Sequence, residues 1–385
     1  MLSALLLLML GHASAAPPAS PSEIVVVGRR AEIALVACLA RNCPPGEEVE
    51  TSLQASAEQF ADGRYDDAQH TLQTAIRRNS VHASQLPGPI SSLYATLATV
   101  AEHQGDSTLW LASARNSVLV LRRYLGEAQS GTMSQELVFA DDLIRLEKPG
   151  VAAEVYQKVE REAAELGKRE LAARAAFRRA WLALLSEHDE EAKRIADEAV
   201  TLAGDDDENM LALRDILRAR IAIRHGDESE VDTLAAELNR SVGAAPTLLY
   251  SPPIENINPP HYGAVRDARP DSNIRFADVG YWIRPDGRTV NAEVLRTSGL
   301  GQWLPGILRQ VSQRRYASVN VDPGQPGLYR IDRFTIRATR GTPTGSHIAQ
   351  RMGDLSVHFV SLSDTDAMTE AHRKATGHAT SKMDR

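Results

Sequence analysis

The sequence predicts an α+β chain, an N-terminal α-solenoid of helix pairs followed by a small ββαβ domain. Three observations predict it. Apolar residues recur at helical spacing from about Glu48 to Gly243. That stretch is cut at a near-regular interval by Gly63-Arg64, Gly105-Asp106, Pro149-Gly150, His188-Asp189 and Gly226-Asp227, the mark of stacked two-helix units. Past a linker at 244–270, with Pro252-Pro253 and Pro259-Pro260, the pattern changes to alternation at period two.

In chain order, Met1 to Ala15 reads as a secretory signal: an apolar run from Leu2 to Leu10, then small residues Ala13-Ser14-Ala15 for cleavage. The run is too short for a membrane span, so the expectation is an exported, periplasmic protein without a transmembrane helix in its mature form. Residues 16–47 are expected to be a flexible segment containing one strand-like run, Glu23-Ile24-Val25-Val26-Val27. The two cysteines, Cys38 and Cys43, suit a single structural disulfide in an oxidising compartment, closing a small loop.

Within the helical array at 48–243, Ala68, Leu72, Ala75 and Ile76 line one helix. Phe177, Trp181 and Leu184 line another, and Ala192, Ile195, Ala199 and Leu202 a third. About five helix pairs are expected. Leu53 to Asn79, with Ala57, Gly63-x-Tyr65 and Ala68, resembles a tetratricopeptide repeat. That resemblance implies a concave surface that takes a peptide or partner protein.

In the C-terminal domain, expected at 271–340, Ala277, Val279, Tyr281 and Ile283 share one strand face. Pro285-Asp286-Gly287 turns the chain into a second strand with Val290, Ala292 and Val294 on one face. Trp303, Leu304, Ile307, Leu308 and Val311 make a helix ending in Arg314-Arg315, cations suited to a helix C-terminus. A last strand, about Tyr329 to Ala338, changes phase between Tyr329/Ile331 and Phe334/Ile336, which predicts a bulge near Asp332. Residues 341–363 are expected to be loop and one extra strand on Leu355, Val357 and Phe359, and 364–385 a disordered tail.

The order strand, Asp-Gly turn, strand ending at Ser298-Gly299, helix ending in Arg314-Arg315-Tyr316, and Phe334-Thr335-Ile336 strand resembles the C-terminal domain of TonB-type energy transducers. Tyr250-Ser251-Pro252-Pro253 resembles the Pro-rich approach to that domain. Asn273-Ile274 and Ala317-Ser318 depart from the Gly and Pro usual there. Glu23 to Val27 resembles the TonB box of outer-membrane receptors. The resemblance implies strand addition at an exposed edge carrying Tyr329, Ile331, Arg333, Thr335 and Arg337. It also implies envelope partners, outer-membrane receptors among them, or self-docking of 23–30 on the C-terminal sheet. The rival expectation is a scaffolding protein acting through the helical surface alone.

Composition sets the exclusions. A net charge of −7 without a basic cluster argues against nucleic acid. No phosphate loop, Rossmann fingerprint, nucleophile elbow or His-Glu-x-x-His helix is present. His103, His188 and His225 each fall near a helix end, where a surface or capping role is expected. The expectation is a non-enzyme with no cofactor and no metal.

Overall fold

A computed structural model describes residues 30–226, 248–254, 257, 274–319, 327–342, 345–348 and 350–362. The expected signal, the strand-like run at 23–27, the end of the array after 226 and the tail from 364 lie outside these residues.

The array comprises α1 (Arg30–Ala40), α2 (Pro45–Ala61), α3 (Tyr65–Asn79), α4 (Pro87–Gln104), α5 (Ser107–Leu125), α6 (Ser130–Arg145), α7 (Pro149–Glu165), α8 (Arg169–Leu185), α9 (Asp189–Ala203) and α10 (Glu208–Arg224). The anticipated breakers fall on the turns α2/α3, α4/α5, α6/α7 and α8/α9, and after α10. Pro45, Pro87 and Pro149 stand in first turns, where a missing N–H costs nothing. Asp106 and Asp207 cap α5 and α10 by accepting from Leu109 N and Met210 N. Packing is Ala-rich: Ala172, Ala175, Ala176, Ala180, Ala192, Ala196 and Ala199 are all fully buried, which lets α8 and α9 approach closely. One expectation for 16–47 is overturned. Arg30–Ala40 is a helix, not a flexible segment, and its first three N–H groups donate to the Glu58 carboxylate. The disulfide Cys38–Cys43 ties α1 to the turn before α2.

The β unit has β1 (Leu248–Tyr250), β2 (Phe276–Ile283), β3 (Thr289–Ser298), α11 (Leu304–Ser312), β4 (Arg315–Tyr316), β5 (Leu328–Gly341) and β6 (Gln350–Ser361). Four strands form an antiparallel sheet in the order β3-β2-β5-β6, and β1 pairs with β4 apart from it. The ββαβ order β2-β3-α11-β5 is as expected, and β6 is the anticipated extra strand. β1 corrects the linker boundary, because Tyr250 belongs to a strand. Ala277, Val279, Tyr281 and Ile283 pack with Trp303, Ile307, Val311, Phe334 and Ile336 into the core under α11.

No bulge occurs near Asp332: β5 pairs with β2 without a register shift from Leu328 to Thr335. The phase change has another cause. Both faces of β5 are covered, so neither shows a simple alternation. Phe334 and Ile336 face α11, and Asp332 takes an apolar-looking place in that same core by pairing with Arg314. Arg314 therefore serves no helix dipole. It is buried, with Nη1 2.5 Å from Asp332 Oδ2 and 3.0 Å from the Tyr281 hydroxyl. Burial opposes its charge, yet Tyr281, Asp332 and Tyr316 outweigh that and raise its pKa.

Candidate functional site

The opposite face of β5 lies across the turns of the array. Phe276 and Leu362 share a core with Phe60, Tyr65, Leu72 and Leu97 of α2 to α4, and Ile331 and Val360 pack against it. The junction is also polar. The Arg333 guanidinium is fully buried and places all five donors. Nε and Nη2 reach the two Asp278 oxygens at 2.6 and 2.8 Å, Nη2 also reaches Ala61 O at 2.6 Å, and Nη1 reaches Phe60 O and the Tyr65 hydroxyl. Its plane lies 4.2 Å from the Phe276 ring centroid. Phe60 and Ala61 end α2, where the helix presents its carbonyls and favours a cation; Phe60 O also accepts from Gly63 N at 2.9 Å. Arg296 of β3 adds a second cation on Ala61 O and Asp278.

The α4/α5 turn is held in the same way. Arg337 Nη1 donates to His103 O at 2.7 Å, Arg340 N–H to Gly105 O at 2.7 Å, and the Ser107 hydroxyl to Arg340 O at 2.6 Å. His103 Nδ1 and the Thr335 hydroxyl are 2.9 Å apart. Beside them, His358 meets Glu102 at 3.2 Å, Glu102 meets Arg145 at 2.8 Å, and Arg145 meets Asp142, which accepts from Trp110 Nε1 at 3.2 Å. His103 is buried rather than at the surface. Desolvation, then the positive potential of His358, Arg333, Arg145 and Arg337, holds its pKa well below the usual histidine range. Burial likewise raises the Asp142 pKa against the pull of Arg145.

A second junction joins β1 to α10. Arg220 Nε donates to Leu249 O at 2.9 Å and its guanidinium stacks 4.4 Å from the Trp181 centroid. Burial lowers its pKa to about 10. The β unit is thus anchored at α2–α5 and again at α10, and the intervening helices span between the anchors.

The edge expected on β5 is therefore not a free edge along its length. β2 pairs with 328–335 and β6 with 332–341, so both sides are paired from Asp332 to Thr335, and Ile331, Arg333, Thr335 and Arg337 face the chain's own helices. Tyr329 lies farther along, 4.9 Å from the Trp282 centroid. Residues 23–29, expected to dock on the C-terminal sheet, lie outside the described residues. Sequence reasoning missed Asp278, His103, Glu102, Arg296 and His358 as members of this junction. Asp278 did carry a signal: an acid inside an apolar strand needs a buried cation.

The outer strands are β3 and β6. β3 has two register irregularities and a positive φ of 54° at Asn291, features that blunt an edge. β6 pairs with β5 in unbroken register from Leu355 to Ser361, contains no Pro or Lys, and leaves Phe359 56% exposed. Elsewhere, an open groove of about 700 Å³ between α9 and α10 is lined by both signs of charge, including Glu190, Lys193, Asp197 and Arg218. Cys38, Cys43 and Glu47 lie close enough to share a metal, but the two sulfurs are bonded to each other and cannot act as thiolates. Among the described residues no helix is long and apolar enough to cross a membrane.

No protein-family model and no curated protein matches the chain. Among solved structures, BtubC (BKLC) from P. vanneervenii is similar at 15% identity, covering 59% of this chain and 96% of its own, with a TM-score of 0.43. The TPR2AB domain of yeast Sti1, in a complex with pHSP90, is similar at 15% identity over 55% of this chain and 87% of its own, with a TM-score of 0.21. Neither likeness is close enough to carry an argument about function.

Proposed function

We propose that this chain is an exported protein-binding adaptor and not an enzyme. Strand β6 takes an extended partner segment by strand addition, and the helical array is its rigid mount. The observation that carries this reading is the contrast between the two outer strands: β3 is blunted, while β6 from Leu355 to Ser361 is regular and has a strand neighbour on one side. Main-chain hydrogen bonds would supply affinity, and Leu355, Val357 and Phe359, alternating on one face, would select apolar side chains in the partner. β6 then takes the role that the TonB-type resemblance assigns to β5. Outer-membrane receptors of TonB-dependent transport are the envelope partners that resemblance suggests. The signal-like Met1 to Ala15 and the Cys38–Cys43 disulfide support export.

Scaffolding through the array alone is the second reading, favoured by exposed Val138 on α6 and Val151 on α7. A photoreactive residue at Phe359, Leu295 or Val138 in living cells separates the two. Adducts from Phe359 with a recurring envelope protein support strand addition at β6. The same protein captured from Val138 and not from Phe359 sinks it in favour of the helices.

A further inference from the structure

The sheet and the array advance in the same direction. β3 and β2 sit on the end of α2, through Arg296 on Ala61 O and Phe276 packed on Gly63. β5 extends to α4, through Arg337 on His103 O, and β6 meets Glu102 of α4 through His358. The helix that follows on this face is α6, and its Arg145 reaches Glu102, the acid that His358 contacts. Arg145 and His358 also flank one ring, at 5.4 and 6.2 Å from the Trp110 centroid. A fifth strand would lie about 4.8 Å beyond β6, on the side where α6 and Arg145 stand.

The electrostatics of this place are one-sided. Glu102 and Asp142 are buried, their side chains 6% and 8% exposed, and Arg145 pairs with both. Glu102 also holds His358, and Asp142 accepts from Trp110 Nε1. The Arg145 side chain is 48% exposed, and its Nε makes no hydrogen bond among the described residues. What the cluster turns outward is therefore guanidinium. The array-facing row of β6, Ser356, His358 and Val360, adds no acid to balance it.

We propose that the partner segment added at β6 carries carboxylate side chains on its array-facing side, where they pair with Arg145, and apolar side chains on the other, against Leu355, Val357 and Phe359. This rests on strand addition at β6 and names the chemistry of what is added. A strand laid there takes Arg145 out of water, and the N–H groups that Glu102 and Asp142 leave unmet then require acceptors. A carboxylate meets them with charge-assisted hydrogen bonds. A neutral amide meets them more weakly, and an ammonium group is repelled. A second copy of β6 fits poorly, because Leu355 to Ser361 holds no acid. Two such strands paired edge to edge would cover both Arg145 side chains and bring neither a new acceptor.

The test uses the purified chain and three capped peptides that alternate valine with glutamate, glutamine or lysine, with hydrogen exchange followed at 355–361. The glutamate peptide is expected to protect these amides and to bind about tenfold more tightly than the other two at low salt, an advantage that shrinks as salt is raised. Arg145→Gln is expected to bring the glutamate and glutamine peptides level, and the salt series on the unaltered chain stands even if this variant is unstable. Equal affinity for the glutamate and glutamine peptides, both protecting 355–361, overturns the acidic partner and leaves strand addition standing. No protection by any of the three overturns both. Protection that appears without peptide and grows with chain concentration makes a second copy the occupant, and it overturns the proposal as well.

Discussion

Six turns of the array share one geometry. Asn42 and Gly167 hold the left-handed place in α1/α2 and α7/α8, and the other four turns can be compared in pairs. In α2/α3, α4/α5, α6/α7 and α8/α9 the N–H of Arg64, Asp106, Lys148 or His188 donates to the carbonyl of Gln59, Ala101, Leu143 or Ala183. The residue before each donor is left-handed, with φ between 59° and 79°. In the first two turns it is Gly63 and Gly105; in the last two it is Glu147 and Glu187, both exposed. The backbone alone would accept glycine in all four. The difference lies in what stands opposite. A Cβ at Gly63 would meet the Phe276 ring at 2.9 Å, and one at Gly105 would meet Arg337 Nε at 2.4 Å and Ala338 O at 2.9 Å. Glycine is required where the β unit seats; where nothing stands opposite, glutamate suffices, and Gly167 in the α7/α8 turn is permitted without being required.

The largest effect separating the two halves should come from Arg333→Ala. It leaves buried Asp278 with Arg296 as its one remaining cation, removes a donor from the Phe60 and Ala61 carbonyls, and is expected to cost about 3 kcal/mol or more in denaturant unfolding. Arg179→Ala, which breaks a half-buried pair with Glu160 in the undocked half, should cost about 1 kcal/mol or less. Equal costs would mean that the junction is no more than a surface contact.

The turn residues themselves come next. Gly105→Ala adds left-handed strain to a collision with the Ala338 carbonyl and should destabilise by about 2–3 kcal/mol. Glu147→Gly relieves the same strain with nothing opposite and should be neutral or stabilise by up to about 1 kcal/mol. Thermal midpoints moving in the same direction for both variants would remove the distinction.

Acid should act on the docked half first. His103 is neutral in the fold because its pKa is depressed there, so below about pH 6.5 the unfolded chain binds a proton that the folded chain does not. Stability is fully present above that value and falls as pH drops towards the folded pKa. The facing groups Arg333, Arg337, Arg145, His358 and Glu102 share this junction, so the loss should appear as faster exchange in β5 before α8 or α9. His103→Gln, able to keep a hydrogen bond to Thr335, should flatten the profile. An unaltered profile would place the acid response elsewhere.

The smallest effect concerns caps. Asp106→Ala and Asp207→Ala each remove one side-chain acceptor and should each cost about 1 kcal/mol. A distinctly larger loss at Asp106, beside Gly105, would show that the cap also orients the docked turn.

Much of the architecture was legible in the sequence because it follows from local periodicity. Breakers Gly63, Gly105, Pro149 and His188 mark the helix pairs, Ala277 to Ile283 face one core, and Leu355, Val357 and Phe359 announce the last strand. Each of these patterns needs only one covered face and one wet one. Tertiary structure alone decided which strand is an edge and what Arg333, His103 and Arg314 do. β5 is covered on both faces and, from Asp332 to Thr335, paired on both sides, so its alternation vanishes and its cations resemble a surface. Their acceptors, the carbonyls of Phe60, Ala61 and His103, belong to residues more than 200 positions away and are presented to the sheet only where α2 and α4 end.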